Sequence, residues 1–230
     1  MSIAQNLENV RERIAKAAIK SGRNPEDIVL VAVTKTHTPD MMNEAIRAGA
    51  ADIGENKPQE VRDKFNDVLP TRWHLIGHLQ TNKVKYIIDK CTMIHSVDSI
   101  KLMDEIERQA KLKDVNMDIL IQVNIANEES KSGINKKELT ELLEYAGGLE
   151  RVKVRGLMTI IPIGDEDENR IHFMNMKKLF DETATKEFEN VTMEYLSMGM
   201  SGDFETAIEC GSNMVRVGSA IFGARNYGNI

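Results

Sequence analysis

Short β-rich apolar runs alternate along this chain with longer segments of helical period. The runs occupy 28–35 (IVLVAVTK), 51–56 (ADIGEN), 73–77 (WHLIG), 93–98 (MIHSVD), 118–124 (DILIQVN), 154–161 (VRGLMTII), 195–201 (YLSMGMS) and 214–222 (MVRVGSAIF). Several are apolar almost throughout, which is how parallel strands covered on both faces read. Between them, 39–48 opens on Thr38-Pro39, a cap residue followed by proline at the first helical position. Segment 99–113 carries apolar residues at 100, 102, 103, 106 and 110, a single stripe. Segment 135–146 begins with Asn135 and stops at Gly147-Gly148. Segments 57–67, 81–89, 169–187 and 203–211 also read as helices.

Eight strands, each with a neighbouring helix, predict an α/β fold closed into a single TIM-type (β/α)8 barrel. The alternative is an open doubly wound sheet, but no GxGxxG follows the first strand, so the dinucleotide fingerprint is absent. No linker, low-complexity tract or charge run divides the chain, and 1–230 reads as one domain.

Composition narrows the classes. The chain is 41% hydrophobic and 29% charged, as soluble globular proteins are. A net charge of −6 argues against a nucleic-acid binder, whose phosphate affinity comes from lysine and arginine, yet leaves room for a local basic site. Cys91 and Cys210 stand far apart with no metal-ligand spacing, which predicts neither a disulfide framework nor a zinc site. The charged, amphipathic first segment lacks the apolar core of a secretory signal. No run approaches the ~18 apolar residues of a membrane span. These features predict a cytoplasmic protein with no membrane or nucleic-acid partner.

In a barrel, chemistry sits at the carboxyl ends of the strands. Those ends hold Lys35, Glu55-Asn56, Gly77-His78, Ser96–Asp98, Asn124, Thr159, Met200-Ser201 and Gly218-Ser219. Lys35 follows the run VLVAVT and is expected to project from the end of a rigid strand. A partly desolvated lysine there has a neutral amine available to attack an aldehyde. A solvent-seeking lysine at a strand end is the other reading. The turns at 197–202 and 215–219 offer small residues, backbone N–H groups and the hydroxyls of Ser201 and Ser219, a combination that suits a phosphate. Arg216 shares a strand face with Gly218 and, if buried, needs an acceptor: a ligand ring nitrogen, or a carboxylate such as Glu194 or Glu209. His74 and His78 flank the third strand's end, where a hydrogen-bonded structural role is the commoner outcome. His37 reads as a loop residue, and no metal site is expected.

The runs VAVTKTHTPD, DIGENKPQE, WHLIGHLQTNK, GLMTI, LSMGMSGDFETAIECG and VRVGSAIFGARNY, in this order over 28–227, resemble the pyridoxal 5'-phosphate (PLP)-binding homeostasis protein family. That family is built like the N-terminal barrel domain of alanine racemase. The resemblance implies that Lys35 holds PLP as a Schiff base and that Asn56 and Met200 lie near the cofactor. It also implies that Ser201, Gly218 and Ser219 hold the phosphate, with Arg216 facing the pyridine nitrogen. An arginine there leaves that nitrogen unprotonated and makes PLP a weaker electron sink. The chain departs from the family at Lys57-Pro58, where an aromatic and an aliphatic residue are usual.

The function this implies is binding of PLP in intracellular vitamin B6 homeostasis without robust catalysis, with PLP-dependent apo-enzymes as recipients and the protein a monomer. The alternative is a PLP-dependent racemase or a Schiff-base lyase or aldolase. A two-base racemase needs an acid or base on each face of the substrate. Alanine racemase, whose barrel domain the family resembles, takes the second from a tyrosine in a separate C-terminal domain, whereas Tyr86, Tyr145, Tyr195 and Tyr227 here end no strand in a motif position.

Overall fold

A computed structural model describes residues 1–126, 128 and 132–223. Its strands form a closed barrel in chain order, each parallel to its neighbours: β1 (Val29–Val33), β2 (Asp52–Glu55), β3 (Arg72–Leu75), β4 (Met93–Val97), β5 (Met117–Gln122), β6 (Val152–Met158), β7 (Val191–Ser197) and β8 (Met214–Val217). β8 closes onto β1 with Val31 opposite Arg216. The expected (β/α)8 barrel is the observed one.

Helix α1 (Ile3–Lys20) precedes the barrel, held at its start by a capping box in which Ser2 and Gln5 exchange side-chain-to-backbone bonds. It buries Ile3, Leu7, Val10, Ile14, Ala17 and Ala18, one stripe at helical spacing. The outer layer continues with α2 (Pro39–Arg47), α3 (Pro58–Lys64), a 3-10 turn (Thr81–Tyr86), α4 (Ile100–Lys113), α5 (Leu139–Gly147), α6 (Glu166–Ala184), α7 (Phe204–Glu209) and α8 (Ser219–Phe222). α1 lies against α7 and α8, where Asn6 Nδ2 donates to Ile221 O at 2.9 Å and Arg13 grips Glu205 with two bonds.

The apolar residues divide into two cores. The larger fills the space between strands and helices, with Trp73, Phe173 and Phe204 among its bulkiest members. The smaller, Val31, Met93, Leu120, Met158 and Met214, comes from inward positions of β1, β4, β5, β6 and β8 and fills part of the lumen. Burial on both strand faces explains why the runs read as continuous apolar stretches.

Several boundaries differ from expectation for local reasons. The segment expected as helix from Asn135 begins only at Leu139, because the Asn135 side chain accepts from Lys137 N and Glu138 returns to Asn135 N. α6 begins before 169, at Glu166, where Asp165 and Glu168 form a second capping box. Residues 81–89 hold a 3-10 turn in place of an α-helix. The last apolar run breaks at Gly218, so that its second half is the short α8 and not strand. Among the described residues no helix is long and apolar enough to cross a membrane, and Cys91 and Cys210 are free thiols.

Candidate functional site

At the carboxyl end of the barrel the loops enclose a cavity of about 420 Å³. That volume lies in the range that holds a small cofactor. Lys35, Asn56, Met200, Ser201, Arg216, Gly218 and Ser219 all line it, together with His37, His78 and Gln122. The residues singled out from scattered strand ends thus line one cavity. A larger hollow, about 570 Å³, lies at the opposite end among Arg11, Glu12, Asp52 and Arg72. That is the end of a β/α barrel that serves stability and not chemistry.

Lys35 is not part of β1, contrary to the expected strand through 35. The strand stops at Val33, and Thr34 to His37 form a turn closed by His37 N donating to Thr34 O at 3.1 Å. Thr36 in that turn has φ of +67°, a left-handed backbone rare for a β-branched residue. His37 stacks on Phe222 with ring centroids 4.7 Å apart, tying this turn to α8 across the barrel mouth.

Asn56 follows β2, with Gly77 directly against it. A Cβ at Gly77 would stand 2.4 Å from Asn56 O and 2.8 Å from its Cα, so the close approach requires glycine. Ser96 Oγ donates to Gly77 O at 2.6 Å and fixes the same loop from below. Lys57 precedes α3 without a side-chain capping bond, while Pro58 takes the first helical turn and is buried. On the far side, Ser201 Oγ accepts from Gly218 N at 3.1 Å and Ala220 N at 3.4 Å. Those bonds join the loops after β7 and β8 and leave the Ser201 proton as a donor. Asp203 turns back to accept from Met200 N at the start of α7.

Arg216 is buried, 3% exposed, and neither Glu194 nor Glu209 is its acceptor. Glu194 lies 3.9 Å from Arg155, and Glu209 pairs with Lys20 at 2.6 Å and Arg170 at 3.0 Å. Arg216 instead donates to Ser197 Oγ at 2.6 Å and Thr159 O at 2.8 Å, both neutral oxygens. Burial pushes its guanidinium down to about 10, with Asp203 opposing, so it is still a cation at neutral pH. A buried cation bonded only to neutral acceptors, with further N–H donors at a cavity wall, suits an anionic or electron-rich ligand.

Behind Arg216 a polar chain crosses the lumen. His95 Nδ1 lies 3.2 Å from Ser197 Oγ, His95 Nε2 lies 2.9 Å from His74 Nδ1, and His74 Nε2 lies 2.9 Å from Asp52 Oδ1. Asp52 is also held by two 2.6 Å bonds from Arg72. Arg216 can only donate and Asp52 carboxylate can only accept, so neutral imidazoles fit in one direction: Ser197 O–H to His95 Nδ1, His95 Nε2–H to His74, His74 Nε2–H to Asp52. Burial, aided by His74 and Arg216, holds His95 well below the usual histidine range, consistent with this arrangement. His74 is thus a hydrogen-bonded structural histidine, as expected. Sequence reasoning missed Asp52, His95 and Ser197, although their inward-facing parity in β2, β4 and β7 was a signal for them. His78, 59% exposed, stands at the rim 3.9 Å from Asp98.

The described tyrosines are away from the cavity: Tyr86 meets Arg62, Tyr145 bonds Asp104, and Tyr195 packs on the smaller core. Tyr227 lies outside the described residues.

The family described as alanine racemase, N-terminal domain, matches residues 2–226. A protein of Aquifex aeolicus named pyridoxal phosphate homeostasis protein is 43% identical over 230 residues, covering 99% of this chain and 100% of its own. One of the same name from Escherichia coli is 40% identical, covering 98% and 97%. The solved structure of PipY from Synechococcus elongatus with PLP bound superposes with a TM-score of 0.80 at 30% identity, covering 96% of this chain and 100% of that one.

Proposed function

Because the chain belongs to the alanine racemase N-terminal domain family, with full-length relatives named pyridoxal phosphate homeostasis proteins, we propose that its cavity binds PLP and that the protein acts in cellular PLP balance. The observation that carries this reading is the convergence of Lys35, Ser201 and the buried Arg216 on one cavity of cofactor size. Lys35 would hold PLP through its aldehyde as a Schiff base; Ser201, Gly218 and Ser219 would receive the phosphate; Arg216 would face the pyridine nitrogen, with Asn56 and Met200 near the cofactor. When bound, PLP supplies an electrophilic carbon and an electron-withdrawing ring. Arg216 keeps its proton at neutral pH, so it would donate a hydrogen bond to the ring nitrogen without protonating it.

Binding over turnover is the reading that the relatives' name, pyridoxal phosphate homeostasis protein, supports. Among the described residues no tyrosine lines the cavity, and a two-base racemase needs an acid or base on each face of the substrate. We place the protein in the cytoplasm as a monomer that passes PLP to apo-enzymes.

Absorbance of the protein with PLP, before and after borohydride, tests the reading. A yellow protein bleached by borohydride, with the label mapped to Lys35, is the expected result. A protein that stays colourless after incubation with PLP refutes it. A label retained in full by Lys35→Ala refutes the assignment of that lysine.

A further inference from the structure

The turn carrying Lys35 is held from outside the barrel. Thr34 donates through Oγ1 to Glu55 Oε1 at 2.8 Å, and Thr36 donates its backbone N–H to Glu60 Oε2 at 2.8 Å. Lys64 joins the two carboxylates, 3.0 Å from Glu55 Oε1 and 2.7 Å from Glu60 Oε2, and reaches Thr34 O at 3.5 Å. The cluster is shielded from water: the Glu55 side chain is wholly buried, and those of Lys64 and Glu60 are 14% and 19% exposed. Water screens these groups little, so their mutual attraction is stronger than at the surface, although burial also disfavours the Glu55 charge. The residues before and after Lys35 are therefore gripped by one ionic unit, built from the end of β2 and the first two turns of α3.

The grip acts on a strained backbone. Thr36 occupies the third position of the turn with φ of +67°, where turns of this shape normally take glycine. A β-branched residue leaves that region unless its surroundings hold it there. Here the holding bond is the one from its own N–H to Glu60. Were Thr36 to relax, the backbone after Lys35 would rotate and carry the amine off its line into the cavity.

We propose that Glu55, Glu60 and Lys64 are positioning residues for Lys35, an ionic clamp that keeps its turn in the left-handed conformation and its amine aimed into the cavity. The proposal rests on Lys35 being the lysine that takes the aldehyde. None of the three clamp residues lines the cavity, so they act only through the turn.

The test is the rate at which borohydride-trapped PLP appears on the protein, compared among wild type, Glu60→Ala, Glu60→Gln and Glu60→Ala combined with Thr36→Gly. Glu60→Ala is expected to trap about ten-fold more slowly, equivalent to about 1.4 kcal/mol of lost preorganisation. Glu60→Gln, which keeps an acceptor for the Thr36 N–H, falls between the two. Thr36→Gly removes the strain and restores the double variant to within about two-fold of wild type. Wild-type trapping by Glu60→Ala overturns the clamp, and so does a loss that Thr36→Gly leaves unrepaired, which is what a merely structural glutamate gives. If Glu60→Ala does not fold, hydrogen exchange at the Thr36 amide of the wild-type protein without PLP decides: slow exchange supports the clamp, and exchange at the rate of an exposed chain overturns it. Lys35→Ala separates the two ideas: label surviving there refutes the lysine assignment, whereas label lost there with Glu60→Ala unimpaired refutes the clamp alone.

Discussion

Replacing Ser197 by alanine removes a single oxygen that serves two buried neighbours. Arg216 loses its 2.6 Å bond to that oxygen and keeps only Thr159 O, while His95 Nδ1 loses the hydroxyl that donates to it. A hydrogen bond to a charged group contributes about 1.5–3 kcal/mol, and a buried acceptor left unpaired costs about 1–3 kcal/mol. The two losses share one site and relax together, so roughly 3 kcal/mol of folding stability is expected to go. For a domain of about 150–250 residues that lowers Tm by roughly 6–12 °C. Urea unfolding of the protein without PLP measures the loss directly, and PLP titration of the same variant reads the freed Arg216 as weaker binding. Ser197→Thr keeps an oxygen at the position and is expected to recover part of both. Ser197→Ala within about 0.5 kcal/mol of wild type, the ordinary scatter of harmless substitutions, would refute the idea that the lumen chain holds Arg216. Imidazole nitrogen NMR supplies an independent check, since the chain requires His74 and His95 both to carry their proton on Nε2.

Other outcomes follow from the same geometry. Burial pushes Glu55 up to about 7, with Lys64 opposing and Glu60 reinforcing. The folded protein thus binds this proton more tightly than the unfolded chain, so the penalty is absent near pH 4 and grows as pH rises towards 7, reaching about 3 kcal/mol above it. Glu55→Gln is expected to flatten the fall in urea stability between pH 5 and 8, and an unchanged pH slope would contradict the burial argument. Gly77→Ala drives a methyl group into the Asn56 backbone and is expected to weaken PLP binding at least ten-fold with little change in secondary structure by circular dichroism. Leu7→Ala empties a wholly buried position on α1 and should cost about 2–5 kcal/mol in urea unfolding, with no effect on which lysine is labelled.

The order of elements and the closed barrel were legible in the sequence, because burial on both faces of each strand leaves a run of apolar residues that one chain segment displays by itself. Element ends were less so. Asn135 and Glu138 delay a helix through bonds that hydrophobic period does not register, and the run at 214–222 hides a change from strand to helix at Gly218. The cavity residues were also found in the sequence, since a barrel places strand ends together whatever their separation along the chain. Lys35, Ser201 and Arg216 are recognisable as residue types at such ends.

What only the tertiary structure decided is how those residues are supported. Asp52, His74, His95 and Ser197 come from four strands, and nothing in any one strand shows that their side chains meet in the lumen. Likewise Glu60 and Lys64 lie in a segment that the sequence marks only as helical, and packing against the Lys35 turn is what gives their charges partners there. The sequence by itself determines which groups stand at the barrel mouth, because strand period and closure are local rules repeated eight times. Tertiary packing determines which way those groups point. Orientation depends on hydrogen bonds between segments far apart in the chain, and a buried bond is strong only where both partners have left water.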